Sequence, residues 1–344
     1  MSEPRVAILG ATGVVGQEIL NILEERNFPY KSIKFLASAR SAGKLLNFNS
    51  KQFTIEEATP DSFNDIDLVL SSAGSSTSKK FVDDIVKRGA VMVDNTSAFR
   101  MDKGIPLVIA GANDEDLKQH KGVIANPNCS TSQLILILKP LHDVNKIKRM
   151  IVSTYQSVSG AGKNAIDELI ASSKAKLNNQ EFSPKALQKN IGFNLIPHID
   201  SFVENGYTKE EMKVVNETRK ILHAPDMQIS CTAVRVPVLI SHSESVNIEF
   251  ENPMSPATVR EILSGAYGVE VWDEPEKNIY PTPVDAAGQD PVYVGRIRAD
   301  ISCNNGISLW VVADNLRIGA ALNTVKIAEK LIEMKLLNYQ KVTT

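Results

Sequence analysis

The segment Gly10-Ala-Thr-Gly13-Val-Val-Gly16 follows the β-branched run Val6-Ala7-Ile8-Leu9 and opens a stretch with helical periodicity. Strand, glycine turn and helix in that order constrain the chain more than any other feature. Missing β-carbons let the backbone turn tightly and approach a pyrophosphate at the helix N-terminus. A purely structural turn can use the same glycines, but this one sits at the first strand-to-helix junction of an alternating chain, which favours dinucleotide binding. The alternation continues through Ile33–Leu36, Leu68–Leu70, a helix near Lys79–Lys87 and Val91–Val93, the rhythm of a parallel sheet with crossover helices. Within the first helix, Val15, Ile19, Ile22 and Leu23 fall on one face and are expected to pack on that sheet.

From about residue 148 the texture changes to longer strands: Arg149–Val158, Gln228–Pro237, Glu244–Glu249, Val292–Ile301 and Ser308–Ala313. Such strands indicate a mixed or antiparallel sheet, hence a second α+β domain. Asn315 to about Leu337 is again helical in pattern and is expected to return to the first domain, while the polar stretch Ser172–Asn190 reads as a mobile loop or helical excursion. The expected boundaries are therefore 1–129 with about 315–344 for nucleotide binding, and 130–314 for the second domain.

The 344 residues suffice for a buried core in each of two domains. A net charge of −2 supplies no broad positive field for nucleic acid or an anionic membrane, so neither is an expected partner. Three cysteines without a Cys-x-x-Cys pair fit a reducing compartment and argue against structural zinc or disulfides; no metal is expected. The opening Met-Ser-Glu-Pro-Arg has no basic leader, and the most apolar run, Leu134–Leu138, is far too short to cross a bilayer. A cytoplasmic protein is expected.

An enzyme using NAD usually carries an acid about 20 residues after the glycines, for the ribose 2′-hydroxyl. None occurs between Glu25 and Glu56; the second strand is followed instead by Ser38, Arg40 and Ser41, hydroxyls and a guanidinium suited to a 2′-phosphate. NADP is the expected cofactor. Asn126-Pro-Asn128-Cys129-Ser130 runs into the apolar Leu134–Leu138, placing Cys129 at a helix start, where free amides and positive potential can lower a thiol pKa from about 8.5. A buried helix-start cysteine with no chemistry would be spelled the same way, and the residues alone leave both readings open. Cys231 and Cys303, in apolar strand patterns, read as inert core residues. A thiolate beside a nicotinamide would form a hemithioacetal with an aldehyde and, after hydride transfer, a thioester; a histidine is then needed for the proton. His120, His142, His198 and His223 lie in polar, helix-end or turn contexts, whereas His242 shares a strand-rich stretch with Arg235.

Taken together these pieces resemble the aspartate-semialdehyde dehydrogenase family over essentially the whole chain, and within it the branch typical of Gram-positive bacteria. The matching segments are Val6–Gly16, Asp94-Asn-Thr-Ser-Ala-Phe-Arg100-Met101, Asn126-Pro-Asn-Cys129-Ser, Thr154-Tyr-Gln156-Ser-Val-Ser-Gly-Ala-Gly162, Asn216-Glu217-Thr-Arg-Lys220, Arg235 with His242, and Asp314-Asn315-Leu-Arg. The resemblance implies a Rossmann-type parallel-sheet NADP domain and an α+β catalytic and dimerisation domain. The activity implied is NADP-dependent interconversion of aspartate 4-semialdehyde plus phosphate with aspartyl 4-phosphate, a step toward lysine, methionine and threonine. Relatives are usually dimers, sometimes tetramers, so a homodimer is expected.

Carried over by residue, the resemblance makes Cys129 the nucleophile, His242 the acid/base and Gln156 the group orienting the acyl species. It gives Arg235 and Glu217 to the aspartyl carboxylate and ammonium, Arg100 and Lys220 to phosphate, and Asn128 to the substrate site. Gly10, Thr12, Gly13, Val14, Val15, Gly16, Ser38, Arg40, Ser41, Ser72, Gly74 and Asn315 fall to the cofactor. One departure lies at Ile318 and Leu322, where relatives often carry Lys and Gly. The related reductase of N-acetylglutamyl phosphate shares the thioester chemistry but would not need an ammonium-binding acid at Glu217.

Overall fold

The computed structural model describes residues 3–337. They form two compact units, one running to Pro127 and resuming at Ala320, the other Asn128–Gly319. The boundaries thus differ from the expected ones by a few residues: Asn128, Cys129 and Asn315 all belong to the second unit. The reason is local. Cys129 is the first residue of a helix on the second unit's sheet, and the Asn315 amide is bonded to Ser157, Ser159 and Ser241 of that unit. The first two and last seven positions of the expected nucleotide-binding segments lie outside the described residues.

In the first unit, strand β1 (Arg5–Leu9) leads through the glycine turn into helix α1 (Val14–Glu25) and strand β2 (Ser32–Ala37). A two-stranded hairpin, β3 (Leu45–Phe48) and β4 (Lys51–Thr54), precedes β5 (Glu56–Glu57), β6 (Leu68–Ser71), α2 (Ser75–Lys87), β7 (Val91–Asp94) and β8 (Val123–Ala125). The six-stranded sheet has the order β5-β2-β1-β6-β7-β8 and is parallel throughout. Its central strands are buried along their length, as in a parallel sheet packed against helices: all of Arg5–Leu9, Leu68–Ser71 and Val91–Asp94 is buried, whereas the edge strand Glu56–Glu57 is exposed. The last helix, Leu322–Glu333, packs beside α1, where Arg26 grips Glu329 with two hydrogen bonds of 2.8 Å.

The second unit begins with helix α3 (Cys129–Val144) and strand β9 (Ile147–Gln156), then α4 (Lys163–Leu177), α5 (Lys209–Ile221), β10 (Gln228–Arg235) and β11 (His242–Phe250). It continues through α6 (Pro256–Ser264), β12 (Val269–Val271), the short α7 (Pro283–Ala286), β13 (Val292–Ala299) and β14 (Gly306–Ala313). The six-stranded sheet, order β10-β9-β11-β14-β13-β12, is mixed: β10 runs parallel to β9, and β9, β11, β14 and β13 alternate direction. Helices α3, α5 and α6 cover one face. Leu134–Leu138 are all buried, which is how a helix apolar all round behaves in a core. The other face presents Ser153, Tyr155, Ser245, Asn247 and Trp310, each half-buried.

One expectation is corrected and one is narrowed. Cys303 lies in the turn between β13 and β14, because the Asp300 carboxylate caps the amide of Ser302 (2.9 Å) and ends the strand. The polar stretch Ser172–Asn190 first completes α4 and then turns back, fixed by Glu168, which accepts from the amides of Lys185, Ala186 and Leu187 at 2.7, 2.6 and 3.1 Å. Among the described residues no helix is long and apolar enough to cross a membrane, and no cluster of three or more metal-ligating side chains occurs.

Candidate active site

The topology of the second sheet gathers residues distant in sequence. Strands β9 and β10 are parallel, so their last residues, Gln156 and Arg235, are cross-strand neighbours. Strand β11 runs the opposite way, so its first residue, His242, starts at that same end. The N-terminus of α3 brings Cys129 there as well: Cys129 Sγ lies 3.2 Å from His242 Nε2. Asn128 caps the helix, its Oδ1 accepting from the Ser130 amide at 3.0 Å.

His242 is completely buried. Its Nδ1 accepts the backbone N–H of Ser157 at 3.0 Å and lies 3.1 Å from the Ser157 hydroxyl. An accepting Nδ1 places the ring proton on Nε2, toward the sulfur, an assignment made from the hydrogen bonds. Burial, and then the nearby Arg235 charge, hold the imidazole down to about 3. Arg235 donates to the Ser157 carbonyl oxygen at 2.7 Å, and burial lowers its own pKa against the pull of Glu210. The anionic partner that an arginine in an apolar strand demands is thus an acid on α5 acting through space.

Helix α5 supplies both acids of the cluster. Glu217 Oε2 accepts the Asn128 amide N–H at 2.6 Å. Glu210, two turns earlier, uses one oxygen, Oε1, to accept from Asn128 Nδ2 (2.9 Å) and Gln156 Nε2 (3.0 Å), while Lys213 Nζ donates to its other oxygen at 3.1 Å. Burial would raise this carboxyl, yet Lys213, Asn128 and Gln156 together carry it below the ordinary carboxylate range. Sequence reading missed Glu210. Its signal was the spacing: Glu210, Val214, Glu217, Thr218 and Ile221 form one buried helical stripe in which an acid is out of place. Lys220 follows in the last turn of α5, half-buried. Gly319 was missed too; a β-carbon there would stand 2.8 Å from Cys129 Cβ. Ile318 and Leu322, the departures from the family pattern, are buried core residues here.

The remaining histidines and cysteines have other duties. His142 accepts the Ile147 amide at 3.1 Å, and His198 stacks on Phe202. Cys231 is buried in β10, where burial and the acids around it push its thiol far up.

In the first unit, a cleft of about 470 Å³ is lined by Gly10, Thr12, Gly13, Ser38, Arg40 and Ser72, with Glu57 and Lys80 also on its wall. A β-carbon at Gly10 (φ +93°) would stand 2.8 Å from the Ala73 backbone, and one at Gly16 would overlap the carbonyl oxygen of Gly10. Positions 10 and 16 are thereby closed to any other side chain. Ser72 Oγ is buried without a protein hydrogen-bond partner among the described residues. Close backbone, a waiting hydroxyl and an exposed guanidinium are a donor set that fits a dinucleotide. Val14 and Val15 are the half-buried first residues of α1, Ser41 is half-buried in the following loop, and Gly74 (φ +88°) precedes α2; none of the four lines the cleft. Asn315 lies in the second unit, its amide committed to three serines. Arg100 is buried in the first unit, donating to the carbonyl oxygens of Asn126 (2.8 Å) and Asn95 (3.1 Å).

Two family models match the chain: a semialdehyde dehydrogenase NAD-binding domain over residues 5–120 and a semialdehyde dehydrogenase dimerisation domain over residues 138–318. The aspartate-semialdehyde dehydrogenases of Aquifex aeolicus and Bacillus subtilis are 51% and 48% identical, over 97% and 96% of this chain and 99% and 98% of theirs. The chain belongs to the aspartate-semialdehyde dehydrogenase family. It is thereby an oxidoreductase with a nicotinamide-nucleotide domain, and its likeness runs across bacterial lineages. Aspartate semialdehyde dehydrogenase II of Vibrio cholerae, solved complexed with ASA, superposes with a TM-score of 0.94 at 44% identity, covering 97% of this chain and 99% of that one. The enzyme of Candida albicans, solved with NADP, gives 0.77 at 26% identity, covering 97% and 100%. Cys129 falls between the two matched stretches.

Proposed function

We propose that this chain interconverts aspartate 4-semialdehyde plus phosphate with aspartyl 4-phosphate, using NADP and a thioester on Cys129. The observation that carries the reading is the Cys129 sulfur 3.2 Å from the Nε2 of a buried histidine.

In the reductive direction the Cys129 thiolate attacks the acyl carbon of aspartyl phosphate, a C–S bond forms, the C–O bond to phosphorus breaks, and phosphate leaves. NADP in its reduced form would supply the hydride that turns this thioester into a thiohemiacetal. The proton that the thiohemiacetal oxygen takes up is given back as its C=O bond re-forms, the C–S bond breaks, and aldehyde and thiolate separate. The helix α3 N-terminus and the charge of Arg235 favour that anion. His242 manages the proton. The Ser157 amide favours the ring with its proton on Nε2, and the Ser157 hydroxyl can accept from Nδ1 when that nitrogen is protonated, so the ring serves as acid or base. When the substrate α-carboxylate pairs with Arg235, the second influence lowering His242 is offset, and its basicity rises when the acyl group is bound.

On this reading Glu217 takes the ammonium, Arg100 and Lys220 the phosphate, Gln156 and Asn128 orient the acyl group, and the cleft at Gly10 holds NADP with Arg40 and Ser38 on its 2′-phosphate. The place of the reaction is lysine, methionine and threonine biosynthesis in the cytoplasm, carried out by a homodimer paired through the second unit. A spectrophotometric assay of reduced nicotinamide with aspartate semialdehyde, NADP and phosphate tests the reading. Signal is expected only when all three are present. Turnover without phosphate, or with N-acetylglutamate semialdehyde alone, would overturn it.

A further inference from the structure

We propose that Glu210 is a positioning residue that orients Asn128 and Gln156 for the thioester chemistry at Cys129. The inference deepens the reading above, on which Gln156 and Asn128 handle the acyl group. A side-chain amide can turn over and exchange its oxygen with its nitrogen at little cost in shape, so its orientation must come from its hydrogen bonds. A carboxylate oxygen only accepts. Glu210 Oε1 therefore admits both amides in one sense alone, nitrogen inward, with Asn128 Nδ2 at 2.9 Å and Gln156 Nε2 at 3.0 Å. The far end of each amide is then used: Gln156 Oε1 accepts from the Thr154 hydroxyl at 3.0 Å, and Asn128 Oδ1 caps Ser130 N–H at 3.0 Å. Turned over, Asn128 would set an NH2 against that amide and lose the cap of the helix turn that begins with Cys129.

All three side chains are at least nine-tenths buried, so water cannot substitute for the missing partner. Lys213 on the same helix holds the other Glu210 oxygen and is itself bonded to Asp200 at 2.9 Å, which fixes the carboxylate from behind. Arg235 on β10 and His242 on β11 feel the Glu210 charge from the sheet side. A leucine at 210 would continue the apolar part of the stripe and avoid desolvating a charge, so packing alone does not account for the acid.

The test is a double-mutant cycle on the full-length protein. Glu210→Gln keeps the shape and removes the charge. It should lower kcat by about tenfold or more, as misplaced reacting groups do, while KM for aspartate semialdehyde and the NADPH-binding affinity each change by less than about threefold. Combined with Gln156→Ala or with Asn128→Ala, it should add less than its own full loss, and combined with both, less than about twofold, because Glu210 acts through those two amides. A full multiplicative loss in both cycles would overturn the proposal. An unchanged kcat in Gln156→Ala would instead overturn the role given to Gln156, and the Asn128 cycle then decides for or against Glu210. Should Glu210→Gln not fold, Glu210→Asp, which keeps charge but withdraws the oxygen, is run through the same cycles with the same expected coupling.

Discussion

The cleft beside Gly10 and the cluster around Cys129 are made of different materials. The first is lined by backbone and by exposed side chains such as Thr12, Ser38 and Arg40, and its shape comes from β-carbons that are absent. The second consists of side chains that are nearly all buried, His242, Gln156, Asn128, Glu210 and Arg235, each bonded to another or to the backbone beside it. A cleft of the first kind yields to an added methyl group and tolerates changes of exposed polar groups. A cluster of the second kind tolerates no loss of a partner, because each remaining group is left desolvated.

The largest effect belongs to the cluster. Cys129→Ala should reduce turnover by at least about 10⁴-fold while NADPH binding, measured by fluorescence titration, stays within about threefold of the parent. Equal losses of both would break the separation between the two regions. Next comes the histidine. Its neutral form is held in the fold down to about pH 3, whereas an unfolded imidazole takes up a proton near 6.5, so stability rises with pH between those values and falls as acid is added. Between pH 6 and 4 this one group should cost about 2–3 kcal/mol. Denaturant titrations of the parent and of His242→Asn should show that slope reduced in the variant; His120 and His142, also lowered by burial, and the lowered carboxyls of Glu210 and Asp200 contribute to what remains.

Smaller effects are expected in the cleft. Gly16→Ala forces a methyl onto the Gly10 carbonyl and should cost about 1–3 kcal/mol in unfolding free energy, along with NADPH affinity. Gly13, where an added β-carbon would meet only the Gly10 oxygen at 3.5 Å, should accept alanine at less than about 1 kcal/mol. Reversal of that order in melting experiments would mean that backbone closeness does not shape the turn. Arg40→Asp should weaken NADPH by about tenfold and leave NADH nearly unchanged, since one charge-assisted contact is worth about 1.5–3 kcal/mol. An unaltered preference would put the 2′-phosphate elsewhere.

The same contrast governs what could be read before the fold was known. The glycine turn is contiguous, and its signal, strand then glycines then helix, is local; α1 begins at Val14 and ends at Glu25 as its periodicity requires. Cys129 at a helix start was legible for the same reason. The cluster was less so, since positions 156, 210, 217, 235 and 242 meet only through the strand order β10-β9-β11 and the packing of α5, neither of which is written in any single segment. Family resemblance supplied four of these five. Glu210, outside the matching motifs, was found only by its bonds. Cys303 was misread because an apolar flank resembles a strand, whereas the Asp300 cap that ends β13 is a side-chain contact with no periodicity.

The most direct test of the account is mass spectrometry of the protein incubated with aspartate semialdehyde and NADP in the absence of phosphate. With the acceptor withheld, one aspartyl group should accumulate in thioester linkage, map to the peptide containing Cys129, and vanish on adding phosphate as turnover resumes. Phosphate-dependent turnover with no such adduct, or with the acyl group on Cys231 or Cys303, would contradict it.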